Sequence, residues 1–142
     1  MGKIKLLIQC MRPRHWVKNL FIYAGPFFSL QMFEPYNFLK LWYGFLCWCM
    51  ATSAVYLLND IIDRKEDVFH EQKKKRPIAS GLVNIRLALL VCFSLAACAV
   101  LWSMRLNTGF SLFISVYLIM NIAYSLYLKH VFILDVMCIS LG

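Results

Sequence analysis

Long apolar runs separated by short polar segments dominate the chain. Runs that predict membrane-spanning helices cover about residues 20–33, 38–58, 85–104 and 109–128. The last three approach the roughly 20 residues that cross about 30 Å of hydrocarbon. A fifth apolar run begins near Val131 and continues to Gly142. The pattern predicts an all-α, polytopic transmembrane helix bundle with about four full spans and the start of a fifth.

Polar and helix-breaking residues predict where these elements begin and end. Residues 4–11 carry apolar side chains on one face at helical spacing, which predicts a helix lying on the membrane surface. Pro13 follows and is expected to end it. Pro26 predicts a bend in the first span. The second span is expected to end abruptly at Asn59-Asp60.

The composition supports a membrane protein. The chain of 142 residues is 61% hydrophobic and 15% charged, with a mean hydropathy of +0.65. A soluble domain has about half apolar and a quarter charged residues. The net charge of +8 raises nucleic-acid binding, but the basic residues lie in short segments between apolar runs, and no zinc-ligand or recognition-helix pattern accompanies them. We therefore predict no nucleic-acid partner.

Basic residues also predict the orientation. The N-terminal segment, residues 59–86 and Lys129 hold all of them except Lys40 and Arg105. Because cytoplasmic loops are enriched in Lys and Arg, this distribution predicts a cytoplasmic N-terminus in the cell membrane. No secretory signal peptide is expected, since basic residues interrupt the N-terminal region.

Acidic residues are concentrated after the second span. Five of the seven lie between residues 60 and 71. If the helix continues, Asp60, Asp63 and Asp67 share one face beside Asn59, and a Mg²⁺ ion would offset their repulsion. The alternative is a solvated helix end whose acids pair with Arg64 and Lys65. The spacing alone weighs the two about evenly.

Basic residues that follow favour a phosphate site. Lys73-Lys74-Lys75-Arg76 lies a few residues after the acidic stretch, and a metal-bound phosphate is stabilised by cations on its other side. Topology or anionic lipid could account for much of this charge, but not for the acids beside it. Lys18 and Asn19 lie at the entry of the first span, where polar residues are costly. Asp135, one turn into the fifth span, is a further functional hypothesis.

Three segments together resemble the UbiA superfamily of intramembrane prenyltransferases. They are Asn59-Asp60-x-x-Asp63-x-x-x-Asp67, Arg76-Pro77-Ile78-Ala79-Ser80-Gly81 and the opening Arg12-Pro13-x-x-Trp16-x-Lys18-Asn19. The last resembles the branch whose members transfer phosphoribose to decaprenyl phosphate. The resemblance covers nearly all of the chain but about the first half of the family's bundle, which implies a single UbiA-type domain over residues 1–142, truncated at its C-terminal end.

The resemblance implies roles for individual residues. Asn59, Asp60, Asp63 and Asp67 would hold Mg²⁺ on a diphosphate, with the three aspartates as catalytic residues. Phosphate oxygens would be contacted by Lys18, Lys73, Arg76 and Lys129. The substrates implied are phosphoribosyl pyrophosphate and a polyprenyl phosphate within the membrane lipids, with the active site facing the cytoplasm and a role in cell-wall biosynthesis.

Three alternatives stay open at this point. A prenyltransferase would move an isoprenyl group from a prenyl diphosphate to an aromatic acceptor. A transporter would line a cation path with intramembrane polar residues, but here all acids except Asp135 lie at or beyond the predicted helix ends. A non-catalytic scaffold is the third, because the 142 residues alone could be inactive.

Overall fold

The computed structural model describes residues 2–30 and 34–127, and all regular secondary structure in this part of the chain is helical, with no β-strand. Its α-helices are α1 (Lys3–Cys10), α2 (Ala24–Phe28), α3 (Pro35–Ile62), α4 (Arg64–Asp67), α5 (Ile85–Met104) and α6 (Thr108–Leu126). Two 3₁₀ segments, Pro13–Tyr23 and Lys73–Lys75, complete the described elements. The all-α prediction is confirmed.

Three of these helices are long and apolar enough to cross a membrane. They are α3 over Asn37–Ile62, α5 and α6, which correspond to the second, third and fourth predicted spans. The first predicted span is not among them, because its described part consists of the 3₁₀ segment Pro13–Tyr23 and the five-residue α2. The predicted fifth span lies outside the described residues.

Helix α3 is the centre of the bundle. Its apolar window is 61% buried, against 22% in α5 and in α6, which present most of their surface outward. Small side chains line its contacts: Cys47, Ala51 and Ala54 on α3 pack with partners that include Ala88 and Ala99 on α5. Small residues let membrane helices approach closely. Close packing fixes α3 as the rigid element that carries the polar residues at its end.

The prediction that Asn59-Asp60 ends the second span was wrong. Helix α3 continues to Ile62, and Asp63 caps it with its N–H donating to the carbonyl oxygen of Asn59 at 2.9 Å. The physical reason is that both polar side chains have partners. Asn59 accepts a hydrogen bond from Ser125 of α6, and Asp60 is paired with arginines. A paired polar residue does not have to leave the helix to reach water.

The N-terminal segment is bound to α3. Helix α1 buries Leu6 and Cys10 against the core and leaves Ile4 and Ile8 exposed. A helix therefore forms where one was predicted, but its apolar residues are divided between the protein core and the exposed side. Its position on the membrane surface stays a prediction. It remains close to α3 because the hydroxyl of Ser53 donates to the carbonyl oxygen of Met11 at 3.2 Å.

The 3₁₀ segment Pro13–Tyr23 continues this attachment. The indole N–H of Trp16 donates to Ser53 Oγ at 3.0 Å, and the buried Asn19 donates to Thr52 Oγ1 at 3.1 Å and to Cys49 Sγ at 3.3 Å. Trp16 therefore attaches this segment to α3. Asn19 joins two elements of the fold. Backbone hydrogen bonds have poorer geometry in a 3₁₀ helix than in an α-helix. The side-chain hydrogen bonds to α3 therefore help to stabilise this long 3₁₀ segment.

A loop between α4 and α5 folds back over the end of α3. Pro77, Ile78 and Val83 are buried, and the Val83 N–H donates to the carbonyl oxygen of Pro77 at 3.0 Å. Gly81 has φ +76°, a conformation that glycine adopts without strain. Ile78 and Val83 belong to the core cluster that contains Leu57. This anchoring fixes the preceding residue, Arg76, above the end of α3.

Candidate active site

Two buried carboxylates and two arginines meet at the carboxyl end of α3. Asp60 and Asp67 are each 2% exposed. Asp60 Oδ1 accepts a hydrogen bond from Arg12 Nη2 at 2.7 Å and lies 3.3 Å from Arg76 Nη1. The same Arg76 Nη1 donates to Asp67 Oδ2 at 2.8 Å. Because an unpaired buried charge is very costly, the four side chains stabilise one another as a unit.

Four separate segments supply this cluster. Asp60 comes from α3, Asp67 from α4, Arg12 from the turn after α1, and Arg76 from the folded-back loop. The alternative pairing with Arg64 and Lys65 is not the one that Asp60 and Asp67 adopt. Their partners lie 48 residues before Asp60 and nine after Asp67. Such pairs depend on tertiary contacts that local helical spacing does not show.

Arg12 is held in an unusual backbone conformation. Its φ of 52° and ψ of 58° lie in the left-handed region, which costs a non-glycine residue about 1–3 kcal/mol. Its guanidinium lies 4.8 Å from the ring centroid of Tyr56, on α3, and binds Asp60 as well. Cation–π and ionic contacts of this kind offset the backbone cost. The contacts of the guanidinium group therefore determine the backbone conformation of Arg12.

A polar cavity opens beside the cluster. Its volume is about 360 Å³, and the residues that line it include Gln9, Arg12, His15, Asp60, Lys75 and Arg76. We call it the site cavity. Cations outnumber carboxylates on its walls, so it favours a ligand that is an anion.

Cys10 lies beneath this cluster as a packing residue. Burial, together with the negative charge of Asp60 and against the opposing effect of Arg12, raises the pKa of its thiol to about 11. The thiol is therefore protonated at neutral pH. A protonated, 1% exposed thiol behaves as a small apolar side chain and is not a nucleophile.

The predicted acidic residues are only partly brought together. Asp60 and Asp67 converge on Arg76, whereas Asn59 Oδ1 accepts a hydrogen bond from Ser125. Asp63 is half-buried at the junction of α3 and α4. Within residues 2–30 and 34–127, no group of three or more His, Cys, Asp or Glu side chains is placed to hold a metal ion.

Unlike Arg76, the described lysines that were predicted to bind phosphate do not line the site cavity. Lys18 and Lys73 are exposed and do not line the site cavity, while Lys129 and Asp135 lie outside the described residues. Lys75, two positions from Lys73, does line it. Sequence reasoning also missed Arg12. The signal available was its place beside Pro13 in the opening segment of the resemblance.

The donor set suits a Mg²⁺ ion between two carboxylates. Asp60 Oδ1 and Asp67 Oδ2 both lie within 3.3 Å of Arg76 Nη1, so a cationic group already bridges them. Mg²⁺ is usually held by one or two carboxylates, with water and substrate phosphate completing its octahedron. In the described structure, Asp60 and Asp67 are the residues that fit such an ion. All four predicted metal ligands, Asn59, Asp60, Asp63 and Asp67, stay predictions.

The family follows from comparison with known proteins. The model of the UbiA prenyltransferase family matches residues 19–142, which is most of the chain. The chain therefore belongs to the UbiA prenyltransferase family, whose members are integral membrane proteins. Its three long apolar helices agree with that class.

Individual relatives show which members of the family this chain resembles. The decaprenyl-phosphate phosphoribosyltransferase of Mycolicibacterium smegmatis is 34% identical over 96% of this chain and 44% of its own length. That of Mycobacterium tuberculosis strain H37Rv is 34% identical over 94% of this chain and 46% of its own. The 4-hydroxybenzoate octaprenyltransferase of Nitrosomonas eutropha is 40% identical, but over 41% of this chain and 20% of its own length. The chain thus spans less than half the length of the relatives it matches.

Proposed function

We propose that the full-length protein is a Mg²⁺-dependent transferase that moves 5-phosphoribose from phosphoribosyl pyrophosphate to a polyprenyl phosphate such as decaprenyl phosphate. The observation that carries this proposal is the buried cluster of two carboxylates and two arginines beside an anion-attracting cavity at the end of a membrane helix. The likeness to two phosphoribosyltransferases over more than 90% of the chain supports the choice of substrates.

The chemistry asks the site to stabilise a leaving group. An oxygen of the lipid phosphate forms a bond to the anomeric carbon of the ribose, and the bond from that carbon to pyrophosphate breaks, with the electron pair leaving on pyrophosphate. Positively charged groups placed where that charge develops lower the barrier. Arg12, Arg76 and Lys75 are the cations on the walls of the site cavity.

The two aspartates would hold the metal ion. Asp60 and Asp67 would bind Mg²⁺, which when bound neutralises part of the pyrophosphate charge. Arg12 and Arg76, which balance the two carboxylates in the described structure, are then available to phosphate oxygens. Guanidinium groups suit this exchange, because they bind carboxylate and phosphate with the same planar geometry.

We propose that this end of the bundle faces the cytoplasm in the cell membrane. Contacts of Arg12 and Arg76 with Asp60 bring the N-terminal segment and the basic loop to the same end of α3. Lys40 and Arg105 lie together at the opposite end, where both line one cavity. An uneven distribution of basic residues supports that orientation. A water-soluble donor would reach the site from the cytoplasm.

A second candidate is transfer of an isoprenyl group to an aromatic acceptor. It is supported by the 40% identity to an octaprenyltransferase over 58 residues. The leaving group is again pyrophosphate, so the cluster would serve both reactions. The donors separate the two: phosphoribosyl pyrophosphate is soluble, and a prenyl diphosphate carries its own tail.

The test uses the full-length protein in lipid, with Mg²⁺, a polyprenyl phosphate and radiolabelled phosphoribosyl pyrophosphate. We expect label in the lipid fraction, lost when Mg²⁺ is chelated and when Asp60→Asn and Asp67→Asn are combined. The matched control is Glu34→Gln, an acid at the other end of α3. No transfer by a folded protein that instead consumes a prenyl diphosphate would establish the second candidate. Inactivity with both donors would contradict the proposal that the protein is an enzyme.

A further inference from the structure

The last turns of α3 and α6 are joined by a hydrogen bond between two side chains. Asn59, on α3, lies against Ser125, on α6, and its Oδ1 accepts a hydrogen bond from the Ser125 hydroxyl. Ser125 is 2% exposed, so water does not compete for that hydroxyl. The proposed function gives Ser125 no role, although it binds a residue that the resemblance implies as a metal ligand.

The Ser125 hydroxyl has two acceptors within reach. The second acceptor is the carbonyl oxygen of Asn121, four residues earlier on α6, at 2.7 Å. A hydroxyl carries one proton and accepts through its oxygen lone pairs, so it cannot donate fully to both acceptors. Serine hydroxyls within helices often donate to the carbonyl oxygen four residues back. Asn121 therefore competes with Asn59 for the proton of Ser125.

Rotation of the Asn59 amide by 180° removes this competition. The rotation exchanges Oδ1, which accepts hydrogen bonds, with Nδ2, which donates them. Nδ2 of Asn59 would then donate to Ser125 Oγ, and the Ser125 hydroxyl would donate to the carbonyl oxygen of Asn121. Two hydrogen bonds form in this arrangement and one forms in the other. Ser125 therefore favours the arrangement in which Oδ1 of Asn59 faces away from α6.

The rotated amide makes the Asn59 oxygen available to a cation. Asn59 is half-buried and directly precedes Asp60 in the cluster. Asp63 lies four residues after Asn59, on the same face of the helix, and its N–H donates to the backbone carbonyl oxygen of Asn59 at 2.9 Å. Because Mg²⁺ takes oxygen ligands, an asparagine amide can bind it through Oδ1 alone. A metal ion at this face requires the orientation that Ser125 favours.

We propose that Ser125 is a positioning residue: it accepts from Asn59 Nδ2, donates to Asn121, and so turns the Asn59 carbonyl oxygen toward a bound metal ion and its diphosphate. The inference rests on the proposed function and adds α6 to the elements that shape the site. Groups that orient a metal ligand in this way typically change metal affinity about 10–100-fold when they are removed.

Metal binding tests the proposal in the full-length protein in lipid. The probe is Mn²⁺, which accepts the same oxygen ligands as Mg²⁺ and whose binding is followed by electron paramagnetic resonance. Inorganic pyrophosphate is added, since it is the leaving group of both candidate reactions. We expect Ser125→Ala to weaken Mn²⁺ binding about tenfold. Ser125→Thr retains the hydroxyl and should bind Mn²⁺ within about twofold of wild type.

Two further variants control for packing. Ser111, also on α6, is 4% exposed and donates to the carbonyl oxygen of Val100 at 3.2 Å. Ser111→Ala removes an equally buried hydroxyl and should leave Mn²⁺ binding unchanged. Ser125→Cys is close to serine in size, but a thiol is a weak acceptor. It should show the loss expected of Ser125→Ala, and it replaces that variant if the alanine protein does not fold.

A change of Asn59 separates orientation from packing. A carboxylate presents oxygen in either orientation, because it has no amide hydrogens. In an Asn59→Asp protein, Ser125→Ala should therefore change Mn²⁺ affinity by less than about twofold. A tenfold loss that persists in this background would mean that Ser125 acts through helix packing, which overturns the proposal. Unchanged Mn²⁺ binding in Ser125→Ala alone would overturn it as well.

Transfer assays distinguish failure of this inference from failure of the proposed function. A wild-type protein whose Mn²⁺ binding depends on Ser125, but which transfers neither phosphoribose nor an isoprenyl group, would contradict the proposed function alone. A wild-type protein that transfers phosphoribose, and whose Mn²⁺ binding is unaffected by Ser125→Ala, would contradict this inference alone.

Discussion

The two ends of α3 differ in the size of the adjoining cavity and in the burial of charged side chains. At the amino end, a cavity of about 730 Å³ is lined mainly by apolar residues with exposed Lys40 and Arg105 at its edges. At the carboxyl end, a cavity of half that volume contains the buried Asp60 beside two arginines. Among the residues that the structure describes, only those at the second end carry the cost of buried charge. Because that cost is retained where binding or catalysis needs it, the smaller cavity is the better candidate site.

The largest expected effect concerns the carboxylates. We expect Asp60→Asn to reduce transfer about 10³-fold, because it removes a charge that we propose binds the metal ion and leaves Arg12 without its carboxylate partner. Glu34→Gln, at the amino end, should retain activity within twofold. Rates of radiolabel transfer by the two full-length variants measure the difference. Equal loss in both variants, or in neither, would break the comparison between the two ends.

The arginine that bridges both carboxylates should matter most for stability. Arg76→Met leaves Asp60 and Asp67 with one cation between them, and we expect the free energy of unfolding to fall by about 3 kcal/mol. Arg105→Met, at the amino end, should change it by less than 0.5 kcal/mol, as surface substitutions usually do. Unfolding in mixed detergent micelles measures both variants. An Arg76→Met protein as stable as wild type would mean that the cluster is hydrated rather than buried.

The sequence predicts most of the bundle because membrane helices are specified by length and hydrophobicity. The third predicted span, residues 85–104, coincides with α5, where the Asn84 side chain accepts a hydrogen bond from the Arg86 N–H at 2.8 Å. The first predicted span is not confirmed, because hydropathy does not distinguish an α-helix from the 3₁₀ segment Pro13–Tyr23, and residues 31–33 lie outside the described part of the chain. That segment depends on hydrogen bonds to α3, such as those of Asn19.

The candidate site was predicted as a set of residue types and not as a set of contacts. The acidic stretch and Arg76 were found because unlike charges lie close together in the chain. Arg12 was missed because its partner is 48 residues away and because its left-handed backbone has no signal in residue type. The resemblance implies Lys73, whereas Lys75 lines the site cavity; a run of lysines carries no information on which one faces a cavity.

Loss of the hydrogen bonds that attach the N-terminal segment to α3 should have an intermediate effect on stability. Asn19→Ala removes two buried hydrogen bonds and leaves Thr52 and Cys49 with fewer partners, so we expect a loss of about 1.5 kcal/mol in unfolding free energy. The matched control is Asn37→Ala at the amino end, whose side chain donates to the exposed Glu34 at 2.9 Å. Its loss should stay below 0.5 kcal/mol. Equal losses in the two variants would remove the distinction between buried and exposed amides.

The smallest expected effect is a difference in KM between variants of two neighbouring lysines. Lys75 lines the site cavity and Lys73 does not, so we expect Lys75→Gln to raise the KM for phosphoribosyl pyrophosphate about threefold and Lys73→Gln to leave it unchanged. Both remove the same charge from the same short 3₁₀ turn. Steady-state kinetics of the two variants compares them directly. A larger effect of Lys73→Gln would favour the residue that the resemblance implied.

Binding of the donor tests the central claim, that the cluster at the carboxyl end of α3 is a Mg²⁺-dependent diphosphate site. Radiolabelled phosphoribosyl pyrophosphate is added to the full-length protein without any lipid acceptor, with Mg²⁺ or with chelator. Wild type and Glu34→Gln should bind it with Mg²⁺ alone, and the folded double variant Asp60→Asn with Asp67→Asn should not. Binding that persists in the double variant, or that does not depend on Mg²⁺, would contradict the account.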